Sequence, residues 1–206
     1  MPLQDLPCEI LSIPKLKNNI RPKIDKSFIT KRPFEKKYVC IASHSTAQLK
    51  YWNNEVGWKQ VIKYLKKIGY EVICLDRDRD FGNDQKMNSI PEDCIHYPGE
   101  SLADIINCLH YCEFFIGLSS GLSWLAWSCF KPVVMICGFL EKEYHFDEAY
   151  YVQNKNVCNC CWNKGKHFDS SNWMWCPENK DFECSKEISF EMVKNNIDNL
   201  ISNNNL

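Results

Sequence analysis

A chain of 206 residues has room for one core and a small appendage, and its 45% hydrophobic content excludes a disordered chain. Its 25 lysines and arginines stand against 26 aspartates and glutamates, a net charge of −1 that excludes a general nucleic-acid binder.

From the start of the chain, residues 1–36 hold five prolines (Pro2, Pro7, Pro14, Pro22, Pro33) and little periodicity, which predicts an extended lead-in or linker. The opening MPLQDLPCEILSIPKLK has neither a basic start nor a continuous apolar core, so no secretory leader is expected. KYVCIAS (37–43) reads as a buried strand. Val56, Val61, Ile62, Leu65 and Ile68 then recur at helical spacing, with Asn53 or Asn54 to cap the start and Gly69 to end the helix. YEVICLD (70–76) is the next strand, closing on Asp76, and RDRDFGNDQKMNSIPED reads as a polar loop. Ser101 and Asp104 open the helix SLADIINCLHYC; EFFIG (113–117) is a short strand; SSGLSWLAWSCF is a small-residue turn running into a helix; KPVVMICG (131–138) is a strand. Lys131–Pro132 interrupts the longest apolar stretch, so no membrane span is expected, and a cytoplasmic protein is. SFEMVKNNIDNLISNNNL gives a terminal helix with Phe190, Val193, Ile197 and Leu200 on one side. Strand and helix alternate, which predicts parallel strands with right-handed crossovers: an α/β, Rossmann-like domain over residues 37–206.

Ligands of such sheets bind beyond the carboxyl ends of the strands. Two loops stand out there. The first carries Ser45, Thr46 and Lys50; the second carries Ser119, Ser120 and Gly121. Small residues let a phosphate approach the backbone, a helix N-terminus offers N–H groups, and Lys50 adds a full charge. Asp76, at a strand end, stands where a ribose hydroxyl often finds an acceptor. The plainer reading is that these glycines and serines only permit tight turns.

The 13 cysteines belong, in a reducing compartment, mostly to free thiols. Cys40, Cys74, Cys108, Cys112, Cys129 and Cys137 lie in strand- or helix-like runs and read as buried small hydrophobes; Cys8 and Cys94 carry no clear signal. Residues 157–185 differ. Cys158 and Cys161 form a C-x2-C pair, and Cys176 and Cys184 supply a second pair. Four thiolates suit a tetrahedral zinc or a single rubredoxin-like iron; disulfides are the alternative, which a cytoplasmic setting disfavours. Cys160 reads as a spare, His167 as an exposed loop residue, and Trp162, Phe168, Trp173, Trp175 and Phe182 can wrap the site. Such a knot folds a segment too short to build its own core.

STAQLKYWN (45–53), FIGLSSGLSWLAW (115–127), KPVVMICGF (131–139) and the cysteine segment VCNCCWN…FD…WMWCPE…FEC (157–184) together resemble the bacterial autotransporter heptosyltransferases, ADP-heptose-dependent enzymes of GT-B architecture. The resemblance implies ADP-heptose as donor, serines of an autotransporter adhesin as acceptors, a four-cysteine iron site with zinc as the alternative, and a homo-oligomer. It also implies that Lys50 neutralises the donor diphosphate, and that Ser45, Thr46, Ser119, Ser120 and Gly121 line the cleft. Asp76 is a weaker nucleotide contact on this reading, and Cys158, Cys161, Cys176 and Cys184 bind the metal. Only the second, donor-binding half of a GT-B enzyme is matched, so a separate N-terminal half is an expected partner and the catalytic base is expected outside this chain. Asp76, Glu55 and His44 lie on loops that would face the nucleotide, none with a readable partner. Two other readings stand beside this one: a non-enzymatic metal-ribbon module that binds a protein, and a sugar-nucleotide-binding protein without transfer activity.

Overall fold

The computed structural model describes residues 5–14, 21–165 and 168–206. Six parallel strands form the central sheet: β1 (Tyr38–Ala42), β2 (Glu71–Cys74), β5 (Ile95–His96), β6 (Phe115–Leu118), β7 (Val133–Ile136) and β8 (Tyr150–Val152). Their lateral order is β5-β2-β1-β6-β7-β8. The sheet therefore winds outward from β1 in one direction and from β6 in the other, the order of a doubly wound nucleotide-binding fold. The predicted α/β architecture is thus observed.

The central strands β1, β6 and β7 are apolar and buried throughout because both faces are covered. On one face Val39, Ile41, Val72, Ile116 and Val134 meet Val61, Ile62 and Leu65 of α2 (Gly57–Lys67) and Val193, Ile197 and Leu200 of α6 (Phe190–Asn204). On the other, Tyr38, Cys40, Ile73, Phe115 and Met135 meet α3 (Leu102–Tyr111) and α4 (Gly121–Ser128). The helix boundaries follow local chemistry. Ser101 accepts from the Asp104 N–H and Ser189 from the Met192 N–H, each satisfying a first-turn donor. Gly69, at φ +99°, ends α2.

The polar loop after β2 is not irregular. It folds into an antiparallel hairpin, β3 (Asp80–Asn83) and β4 (Lys86–Ser89), turned by Asp84–Gln85 with the Asn83 side chain accepting from the Gln85 and Lys86 N–H groups. Its residues are mostly exposed, so it has no apolar alternation to betray it. The edge strands β5 and β8, two and three residues long, were likewise too short to read. Two further short α-helices are α1 (Leu6–Ile10) in the lead-in and α5 (Glu183–Lys186), which carries Cys184.

The described part of the lead-in is laced to the α3/α4 face. Asn107 accepts from the Thr30 N–H (2.8 Å) and donates to the Lys31 carbonyl (3.0 Å). Arg21 donates to the Trp127 carbonyl (2.8 Å) and lies over its ring. Among the described residues no helix is long and apolar enough to cross a membrane.

Candidate functional site

The winding reverses between β1 and β6, where Ala42 is paired with Gly117. The two loops singled out in the sequence leave the sheet side by side at this point. Gly117 cannot be larger: a Cβ there would stand 2.5 Å from the Phe115 ring.

The β6 loop feeds α4. Ser119 and Ser120 are half-buried, and Gly121 is exposed with open space where a Cβ would stand. Ser120 is the N-cap residue but its hydroxyl makes no capping bond, so it does not satisfy the first-turn N–H groups of α4. Ser123 anchors the turn from below by donating to the Leu118 carbonyl (2.5 Å).

The β1 loop carries the cation. Ser45 is buried and Thr46 exposed. The Lys50 ammonium donates to Thr46 Oγ1 at 3.1 Å, and among the described residues it pairs with no carboxylate. Partial burial lowers its pKa, with Cys137 opposing. A partly desolvated ammonium with no carboxylate partner among the described residues is receptive to an anion.

Asp76 lies beneath this loop, 4% exposed. Its carboxylate accepts from the Ser43 N–H (2.7 Å), the Ser43 hydroxyl (2.8 Å) and the His44 N–H (3.2 Å). These bonds fix the start of the loop, so the structure gives Asp76 a positioning part and does not present it to the crevice. The His44 ring lies between Phe81 of the hairpin (6.2 Å between centroids) and Tyr51 (6.0 Å), with a buried Nε2 that has no partner. Glu55 is exposed on the rim of a cavity of about 280 Å³ between the hairpin and the segment Gln48–Trp58. A larger cavity of about 550 Å³, lined by Lys36, Glu71 and Cys94 among others, involves the amino end of β2, away from these loops.

The cysteine segment docks on the chain leaving β7. Cys160 N–H donates to the Gly138 carbonyl (3.0 Å) and Trp162 N–H to the Phe139 carbonyl (3.2 Å). Gly138 is required: a Cβ there would lie 2.5 Å from the Cys184 carbonyl oxygen. All the cysteines are free thiols. Cys161 and Cys184 are buried, Cys158 and Cys176 half-buried. Burial first, then the neighbouring Cys158 and Cys176, push the Cys161 thiol up to about 11. Burial and then Cys161, Cys158 and Cys176 push Cys184 up to about 12. The four sulfurs thus feel one another. Yet among the described residues no three metal-ligating side chains close to coordination geometry. The donor set itself fits a thiolate-bound metal in its chemistry: four free thiols, two of them buried, are the ligand type of a tetrahedral zinc or iron site. The backbone before Cys184 is also strained, with Asn179, Asp181 and Phe182 at positive φ, which persists only where the surroundings enforce it. Cys160, at φ +54°, stands apart from this set and its sulfur accepts from Gln153 Nε2 (3.3 Å). His167 lies outside the described residues.

Sequence reasoning missed Gln48, which is 2% exposed and joins three elements. Its amide donates to Asn53 (2.6 Å) and pairs with the amide of Asn88 on the hairpin, and its Oε1 accepts from Trp173 Nε1 (3.1 Å). Nothing in its sequence neighbourhood marks a buried glutamine. Gly138 was legible as a glycine after a strand, but its reason, the approach of Cys184, was not.

The class defined here is a doubly wound α/β unit whose two candidate loops leave the sheet side by side at its reversal, with a cysteine-rich segment docked beyond the neighbouring strand end. The profile of glycosyltransferase family 9 (heptosyltransferase) matches residues 12–175, and the chain belongs to that family. It is 42% identical over 178 residues to the autotransporter heptosyltransferase Aah of Escherichia coli, covering 84% of this chain and 45% of that protein. It is also 42% identical over 175 residues to the autotransporter heptosyltransferase TibC of E. coli O78:H11, covering 82% and 43%. The crystal structure of the dodecameric iron-containing TibC in complex with ADP-D-β-D-heptose superposes with a TM-score of 0.86 at 37% identity, covering 95% of this chain and 52% of that one. The chain therefore spans about half the length of the relatives it matches.

Proposed function

We propose that this chain is the donor-binding half of a protein O-heptosyltransferase that takes ADP-heptose and modifies serines of an autotransporter adhesin. The observation that carries the reading is the likeness, at 37% identity, to a heptosyltransferase structure that holds ADP-D-β-D-heptose, in a chain whose two candidate loops meet at the sheet reversal. In the reaction a serine Oγ attacks the anomeric carbon, the bond from that carbon to the diphosphate oxygen breaks, and ADP departs with the pair of electrons. Lys50, Thr46, Ser119, Ser120 and the Gly121 end of α4 stabilise the charge that develops on the leaving diphosphate. Ser45 lines the cleft, and Asp76 holds the loop from which Lys50 reaches it. The serine proton goes to a base on a second half, since Asp76 is engaged beneath its loop, His44 is stacked between rings, and Glu55 is exposed with no partner to orient it.

Cys158, Cys161, Cys176 and Cys184 hold one metal ion, iron as in TibC or zinc, with Cys160 outside the set. When bound, the metal supplies a structural cross-link to a segment with little core of its own. The whole protein assembles as a homo-oligomer, as the dodecameric TibC does, and works in the cytoplasm.

Two measurements test this. Calorimetry with ADP must show binding that Lys50→Ala weakens about ten- to a hundredfold, the effect of one charge-assisted contact. Mass spectrometry of an autotransporter passenger fragment incubated with ADP-heptose must show little serine modification by these residues alone, because base and acceptor positioning are lacking. Robust modification would overturn the division of labour. The reading as a sugar-nucleotide-binding protein without transfer activity shares the same site, and transfer restored by an added N-terminal half excludes it.

A further inference from the structure

The turn that presents Lys50 is held in large part by the cysteine segment. The Gln48 N–H donates to the Trp173 carbonyl (3.2 Å), and Trp173 Nε1–H donates back to Gln48 Oε1 (3.1 Å), which closes a two-bond ring. On either side of Gln48, Ala47 and Leu49 are each 2% exposed in a separate apolar cluster with Phe139, Cys161, Trp175 and Phe182. Gln48, Leu49 and Lys50 form one 3-10 turn, closed by the Lys50 N–H on the Ala47 carbonyl (3.0 Å). Trp173 lies three residues before Cys176. Asn172, just before Trp173, accepts from the Met174 N–H on its side chain (3.0 Å) and from the Trp175 N–H on its carbonyl (3.0 Å), a short turn that leads into Cys176.

We propose that Gln48 and Trp173 are positioning residues that couple the four-cysteine site to the diphosphate site, so that closing Cys158, Cys161, Cys176 and Cys184 around a metal ion sets the Lys50 ammonium for its phosphate. The proposal rests on the donor-binding reading above and adds a linkage between its two sites. Such coupling is reciprocal: if the closed cysteine site tightens ADP binding, ADP tightens the hold on the metal by the same factor, typically about 5- to 150-fold.

The experiment uses the full chain loaded with zinc alone. Zinc release to a chromogenic chelator is followed with and without saturating ADP, and ADP affinity is measured by calorimetry before and after stripping. The expected result is that ADP suppresses zinc release and that stripping weakens ADP by a matching factor. Trp173→Phe keeps an aromatic ring but lacks the Nε1–H. It is expected to hold one zinc per chain, with coupling reduced about 2- to 12-fold, the worth of one hydrogen bond. ADP binding with zinc release unchanged in the wild-type chain would overturn the linkage and leave the donor site standing, and this measurement needs no variant. Coupling in Trp173→Phe equal to that of the wild type would remove the route through Gln48. No ADP binding in the wild type would overturn the donor-binding reading and the linkage with it.

Discussion

Replacing Asp76 separates its positioning part from a nucleotide contact. The carboxylate is 4% exposed and receives two backbone N–H groups and one hydroxyl, at 2.7–3.2 Å. Asp76→Ala strands the Ser43 and His44 N–H groups in a buried place. Each unsatisfied donor costs about 1–3 kcal/mol, so the loss is roughly 2–5 kcal/mol. For a chain of this size that corresponds to a fall in Tm of the order of 10 °C. Asp76→Asn can keep its amide oxygen where one carboxylate oxygen receives both the Ser43 N–H and the Ser43 hydroxyl, with the His44 N–H also 3.2 Å from that oxygen. That variant is expected to lose only about 1–2 kcal/mol, mainly the charge-assisted part. Urea unfolding of both variants gives the comparison, and ADP calorimetry on the Asn variant shows whether the loop still presents Lys50. If Asp76→Ala unfolds at the same urea concentration as the wild type, or if the two variants cost the same, the carboxylate is not what holds the loop.

Three further outcomes follow from the same geometry. Cys161→Ser should lose the metal and expose residues 157–185 to proteolysis, whereas Cys160→Ser, whose sulfur meets Gln153, should keep one metal per chain by elemental analysis. Gly138→Ala should undock the cysteine segment, because the new methyl meets the Cys184 backbone at 2.5 Å; near-wild-type metal content and protease resistance would show that the approach relaxes freely. His145 is buried with neither ring nitrogen partnered among the described residues, and burial lowers its pKa to about 4 from 6.5. The unfolded chain therefore binds the proton more readily between these values, so its stability contribution is full above pH 6.5 and is lost as pH falls to 4, by up to about 3 kcal/mol. Unfolding free energies of wild type and His145→Gln across this range should diverge, and parallel pH slopes would contradict the assignment.

The main strands and helices were legible because each is long enough to show its period: Val61, Ile62 and Leu65 recur on one face of α2, and the runs at 38–42 and 133–136 are continuously apolar. Their lateral order was not legible, since nothing in a strand's composition says that β1 lies between β2 and β6. The hairpin was missed because it pairs away from the core and so carries no alternation. Lys50 and the Ser119–Gly121 turn were nominated by chemistry that is local in the sequence, and the structure brings their two loops off neighbouring strands. Gln48 was not, because its value comes from partners at Asn88 and Trp173 that only folding brings to it. Asp76 was singled out for its place near a strand end, but the groups that engage it, Ser43 and His44, belong to the loop after the neighbouring strand.

The seam between β1 and β6 also governs how the molecule assembles. Cys40 meets Phe115 only after α2, β2, the hairpin, β5 and α3 have been laid down. A pairing between such distant segments carries a large entropic cost before it is rewarded, so it is expected to join late in folding. Until it does, both partners present unpaired, fully apolar edges, the state most prone to aggregation. A ligand held by the loops on both sides of that seam acts as a brace on the join. Nucleotide present during refolding should raise the yield of native chain, and nucleotide bound afterwards should slow the opening of the two half-sheets.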